Sequence, residues 1–253
     1  MSEGPIAGFV TPPGWYDPSP SEFVSLCAAP VRTQQSMLDV PDLDFDDLAA
    51  ISATEPGVAR SAHLLGLAGA DVAACIGTPF TWAGLSTEAE MRARIRTIEA
   101  AAGCPFIMPG TAIVDGLRAL AARRIGVYAP YYIEPWQAAM RLAFEACGFD
   151  VAVVTSADTL GLVSARTTIA DHEQASSPDI AREGLRRITQ TTSGLEALVI
   201  AGAGVRTVDL TPEAEAELDM PVVSSDTATH WAMARSLSVP LRPGVIGRLG
   251  VAS

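Results

Sequence analysis

Three consecutive stretches decide how this chain folds: "GVYAP" (Gly126–Pro130), "EPWQAAMRLAFEACG" (Glu134–Gly148) and "DVAVVTS" (Asp150–Ser156). The first and third are short apolar runs, the third rich in valine, the pattern of buried strands. In the middle stretch apolar residues return every three or four positions, which gives a helix one apolar face, and Gly148 supplies its C-terminal stop. Strand, helix and strand in this order place the two strands parallel. Repeated along the chain, the unit predicts a mainly parallel sheet covered by helices on both faces.

The unit belongs to a larger repeat. "AGFVTPP" (Ala7–Pro13) aligns with "IGVYAPY" (Ile125–Tyr131), pairing Gly8 with Gly126 and Pro12 with Pro130. "ADVAACIGT" (Ala70–Thr78) aligns with "LEALVIAGA" (Leu195–Ala203), pairing Gly77 with Gly202. "CPFIMPGTA" (Cys104–Ala112) aligns with "MPVVSSDTA" (Met220–Ala228). Three matches in one order at similar separations predict an α/β protein of two similar Rossmann-like (flavodoxin-like) halves. Each half would hold a mainly parallel four-stranded sheet, with pseudo-twofold symmetry between them and the site in the middle. The expected boundaries are 1–120 for the first half and 121–234 for the second, with 235–253 packing back on the first.

Open parallel sheets bind ligands beyond the carboxyl ends of their strands. Six such ends are readable: Pro12-Pro13, Gly77-Thr78-Pro79, Pro109-Gly110-Thr111, Pro130-Tyr131, Gly202-Ala203-Gly204 and Ser224-Ser225-Asp226. Glycines at the exit of a buried strand leave room for something to approach the backbone.

Composition narrows the partners. The 253 residues carry a formal charge of -12, which argues against a nucleic-acid backbone. No apolar run reaches the ~18 residues that cross a bilayer. "MSEGPIAGFV" lacks a basic region ahead of an apolar core, so a cytoplasmic protein is expected. The four cysteines (Cys27, Cys75, Cys104 and Cys147) show no CxxC spacing, and three histidines give no zinc pattern, so free thiols and no metal are expected.

"GFVTPP", "GTPFTWAG", "TAIVDGLRALAARRIGVYAPYYIE", "LVIAGAGVRT", "MPVVSSDTATHW" and the closing "RPGVIGRLG" resemble the aspartate/glutamate racemase superfamily, in its maleate isomerase and arylmalonate decarboxylase branch. The resemblance is weaker over Ser21–Arg60, which includes "MLDVPDLDFDD". It implies cofactor-free, arylmalonate-decarboxylase-like or maleate-isomerase-like chemistry on a small carboxylate or dicarboxylate, decarboxylation above all. The alternatives are a lyase, dehydratase or epimerase acting through Tyr131, Asp226 or Arg206 in the same pocket, or a carboxylate-binding protein without catalysis. Relatives often form homo-oligomers. In the superfamily two cysteines flank the substrate, and the decarboxylase keeps the second. Their positions match Gly77 and Gly202 here, so a mechanism without cysteine is implied.

The resemblance also assigns contacts. Thr78 matches a hydroxyl that meets the substrate carboxylate, and Tyr131 matches a tyrosine donor, with Tyr132 as the alternative in register. Backbone N–H groups at Thr78, Phe80, Ala203 and Gly204 would add to the nest; Pro79 has none. Pro12, Pro13, Gly77 and Gly202 complete the expected lining. Arg206 either meets a second carboxylate or points to solvent or to Asp209. Asp226 is a candidate general base or a helix N-cap, and Asp17 is open in the same way. Cys75, two residues before Gly77, is expected inert inside the sheet. His63, His172 and His230 lie away from strand tips, with His230 expected beside Trp231. The acidic run Asp39–Asp47 reads as a solvated flap. Trp15, Tyr16 and Trp82 fit either an apolar substrate portion or core packing.

Overall fold

The computed structural model describes residues 4–13, 16–40, 44, 46–165 and 174–252. The first half runs β1 (Ile6–Thr11), α1 (Ser19–Leu26), β2 (Arg32–Met37), α2 (Leu48–Ser52), α3 (Glu55–Leu67), β3 (Val72–Cys75), α4 (Pro79–Trp82), α5 (Glu88–Ala102), β4 (Phe106–Ile107) and α6 (Pro109–Ala119). The second runs β5 (Arg124–Tyr128), α7 (Glu134–Ala146), β6 (Asp150–Thr155), α8 (Pro178–Thr191), β7 (Ala197–Ile200), α9 (Leu210–Leu218), β8 (Val222–Ser224) and α10 (Ser225–Ser236).

Both sheets have four strands, ordered β2-β1-β3-β4 and β6-β5-β7-β8, and every pairing is parallel. The order is the same in each half, as the internal repeat implies. Gly8 and Gly126 both lie on the strand that is second in its sheet, where β1 pairs β3 and β5 pairs β7. β3 and β7 are buried along their whole length, which is why "VAAC" and "ALVI" read as continuous apolar runs. The edge strand β2 is polar and partly exposed. The closing pairs, Val10 with Cys75 and Tyr128 with Ile200, bring adjacent strand tips level.

The halves interlock. α10 starts from β8 yet packs against α6 and β3 of the first half. Its first turn is fixed by a capping box in which Ser224 Oγ accepts from Thr227 N at 3.0 Å. The tail touches both halves. Leu241 bridges Cys27, and Arg242 N donates to Leu26 O at 2.8 Å. A 3-10 turn at Gly247–Val251 then returns to the second half, where Arg248 N donates to Glu215 Oε2 at 2.6 Å.

Gly184 lets α8 close on β5: a Cβ there would stand 2.5 Å from Tyr128 Cε2, in a ring that is fully buried. Gly184→Ala is therefore expected to cost about 1–3 kcal/mol through overpacking. Urea denaturation should show a lower midpoint with an unchanged slope.

Candidate active site

Each half leaves its buried strand through the same kink. Gly77, after β3, has φ +112°, and Gly202, after β7, has φ +109°, a conformation that side-chain-bearing residues rarely adopt. Beyond the first kink lies Thr78, fully buried. Its Oγ1 sits 2.6 Å from Ser225 Oγ at the head of α10. The Gly202 N–H is shared between those two hydroxyls, at 2.9 Å to each. One amide of the second half thus holds a hydroxyl of the first.

Two tyrosines from the turn after β5 complete the cluster. Gly204 N donates to Tyr131 Oη at 3.0 Å, and the Ala203 N–H also faces that oxygen. The Tyr132 hydroxyl contacts both Tyr131 and Thr78, and the two rings lie with centroids 4.7 Å apart. Tyr131 is 6% exposed and Tyr132 4%. Burial holds both phenols protonated, that of Tyr131 pushed up to about 12. Neutral O–H and N–H donors from four strand ends therefore meet in a dry space. Such groups suit an anionic oxygen, which would take the place of the bonds they now make to one another.

The tyrosines also explain a glycine. A Cβ on Gly202 would overlap Tyr131 Oη and stand 2.7 Å from its Cζ. At Gly77 the approaching group is the Phe80 ring, whose Cε2 would be 2.7 Å from a Cβ. Pro12 is buried beside Gly77, and Pro13 is half-buried.

Behind the nest lies a charged cluster. Asp226, 3% exposed, accepts from Thr207 Oγ1 at 2.8 Å. It does not cap α10: Ser224 has the extended backbone that a cap needs, and Asp226 already stands inside the first turn. Burial pushes its carboxyl up to about 7, against the opposing pull of Arg206 and Thr207, while Glu22 and Asp17 push the same way as burial. Arg206 does not pair with Asp209. It forms an ion pair with Glu22 of α1, with Nε 3.2 Å from Oε1, and so joins the two halves. Asp17 is buried and accepts from Ser19 N at 2.9 Å.

The remaining candidates stand apart from the nest. Cys75 is buried inside the sheet, its Sγ 3.6 Å from Ile76 O, and burial pushes its thiol far above the usual range. Burial raises Cys27 and Cys147 to about 11 and also raises Cys104, which disfavours the reactive thiolate at all four positions. His230 packs between Phe9 and Phe23, at centroid distances of 6.4 and 5.7 Å, and burial holds it neutral with a pKa of about 3. Trp231 instead carries the Arg235 guanidinium, 4.9 Å above its ring. His63, on α3, bonds Ala101 O at 2.8 Å. Trp82 packs in the core against Phe144, while Tyr16 is exposed. Within the acidic run, Asp47 caps α2 and Asp39 pairs with Arg60 on the surface. Trp15, His172 and residues 41–43 and 45 lie outside the described residues.

Sequence reasoning placed Ser225 at a strand end but gave it no role, and it passed over Glu22 and Thr207. Ser225 carried a signal in its place one residue past β8. Glu22 carried none, because its partner is 184 residues away.

Paired α/β halves with hydrogen-bond donors gathered at their facing strand ends define the class. A family model described as arylmalonate decarboxylase matches residues 35–250, and the chain belongs to that family. It is 28% identical over 221 residues to the arylmalonate decarboxylase of Bordetella bronchiseptica, covering 83% of this chain and 87% of that one. Its fold is that of unliganded arylmalonate decarboxylase (TM-score 0.78, 23% identity, 98% of this chain and 100% of that one). The maleate isomerase Iso from Pseudomonas putida S16 shares the fold as well (TM-score 0.79, 20% identity, 98% and 99%).

Two outcomes follow from this geometry. Gly202→Cys should not simply add a thiol: the left-handed backbone and the Tyr131 hydroxyl together should cost about 2–4 kcal/mol, read from thermal or urea denaturation. Asp226 has a folded pKa above its unfolded value near 3.8, so its contribution to stability is complete at low pH and is lost as pH rises from about 4 through 7. At about 1.4 kcal/mol per pH unit, Asp226→Asn should flatten the wild-type decline across that window by a few kcal/mol, as measured by urea denaturation at a series of pH values.

Proposed function

We propose that the chain is a carbon-acid decarboxylase acting on a small malonate-type dicarboxylate bearing an aryl or alkyl substituent, by chemistry that uses no cysteine. The observation that carries this reading is the Gly202 amide shared between Thr78 and Ser225, beside the Gly204 amide on Tyr131. Family membership supports the substrate class.

Loss of CO₂ requires an electron sink more than a base. One substrate carboxylate takes the donors of Thr78, Ser225 and the Gly202 amide. As the bond to the departing carboxylate breaks, its electron pair flows into the retained group, and the donors hold the enediolate that forms. Racemisation or isomerisation by a pair of thiols does not fit, because Gly77 and Gly202 stand where the resemblance implies those thiols. A homo-oligomer in the cytoplasm belongs to the same reading.

The test is turnover of purified protein on aryl- and alkyl-malonates, maleate and α-substituted carboxylates, followed by ¹³C and ¹H NMR. Release of CO₂ from a malonate is the expected result. A ligand that raises the melting temperature and is recovered unchanged would instead show a binding protein. Thr78→Val keeps the side-chain shape and removes one donor, so kcat/KM should fall about a hundredfold, with a stability loss of about 1–3 kcal/mol from the severed buried hydrogen bonds read separately by thermal denaturation.

A further inference from the structure

Decarboxylation leaves a carbanion equivalent that needs a proton, and resting on the decarboxylase reading above we infer that Tyr131 supplies it, as the catalytic acid of the Gly202 face. Three observations converge on this side chain. First, Tyr131 Oη occupies the volume that any side chain at position 202 would enter, so the phenol stands where a residue on that strand end would otherwise meet the substrate. Second, the Gly204 amide donates to that oxygen and the Ala203 amide faces it, so two N–H groups point at the atom on which charge develops when its proton leaves. Third, the Tyr132 hydroxyl touches both Tyr131 and Thr78, which gives the phenol a neighbouring O–H from which to be reprotonated.

The other acids are differently engaged. Asp226 accepts from Thr207, and Thr207 bonds Ser224 at 2.7 Å, so the Asp226 carboxylate is engaged there while its charge acts on Tyr131 through space. Arg206 is held by Glu22. His230 is wedged between Phe9 and Phe23. Cys75 lies within the sheet. A buried phenol that keeps its proton at neutral pH is a weak acid, and an enediolate carbon is a far stronger base, so the transfer runs downhill.

The step balances. The C–C bond to one carboxylate breaks, CO₂ leaves, and the electron pair remains as the enediolate. The Tyr131 O–H bond then breaks, its proton forms the new C–H bond, and the phenolate is held by the two amides. Tyr131 regains a proton through Tyr132, in the end from solvent, so one proton is consumed for each CO₂ released.

The experiment replaces Tyr131 in the full-length protein with phenylalanine and, separately, with site-specifically incorporated 3,5-difluorotyrosine, which keeps the ring and oxygen but is more acidic. Each variant is assayed on a malonate that the wild type turns over, in water and in an equal mixture of H₂O and D₂O. Tyr131→Phe should lower kcat about a hundredfold or more while KM moves less than threefold. The difluorotyrosine protein should fold like wild type and alter the ratio of hydrogen to deuterium in the product, because the O–H bond that delivers the proton has become more acidic. Retention of more than a third of kcat by Tyr131→Phe, or an unchanged product isotope ratio with difluorotyrosine, would overturn the assignment and leave the decarboxylase reading standing. A wild type inert toward every malonate would overturn both. If Tyr131→Phe does not fold, the fluorinated protein decides alone.

Discussion

One amide ties the molecule together. The Gly202 N–H reaches Thr78 Oγ1 across 124 residues of chain, and Thr78 reaches Ser225 across 147. Neutral hydrogen bonds of this kind contribute only about 1 kcal/mol each, yet a buried donor left without its partner costs about 1–3 kcal/mol. The facing of the two halves and the clustering of donors are therefore the same structural fact. Any movement that separates the sheets strips the buried Thr78 hydroxyl of both partners, while Gly202 and Ser225, on the same half, keep the bond between them.

Around this point the two halves diverge in what they do with a shared kink. Gly77 and Gly202 have nearly the same backbone angle, because both must turn a buried parallel strand into the loop beyond it. In the first half the space beside the glycine is taken by Phe80, an apolar lid. In the second it is taken by Tyr131 and Tyr132, which bring oxygen. The asymmetry makes one wall of the nest greasy and the other a row of hydroxyls and amides.

Charge is kept out of the nest and stored behind it. Burial works against the charge on Arg206, and the surrounding Asp226, Glu22 and Asp17 outweigh it and raise the guanidinium pKa. Asp226, the one that burial pushes up to about 7, keeps its proton over part of the neutral range. A negative charge there would oppose ionisation of Tyr131. The Arg206–Glu22 pair also pins α1 of one half to the loop after β7 of the other.

Periodicity and small-residue punctuation in the sequence determined the strands other than the polar edge strand β2, the parallel topology, the doubling of the fold and the strand ends that form the nest, because each of these is local or repeats. Thr78, Tyr131 and the 202–204 loop were legible for that reason. The role of Ser225, the pairing of Arg206 with Glu22, the burial of His230 between two phenylalanines and the displacement of Asp226 from the cap by Ser224 were not. The first three depend on which surfaces meet when α10 and α1 pack across the two halves, whereas the cap is a local exchange between Ser224 and Thr227. Only the tertiary structure decided what approaches Gly202: a glycine in the sequence records that space is needed, and the packed neighbours alone reveal that a phenol fills it.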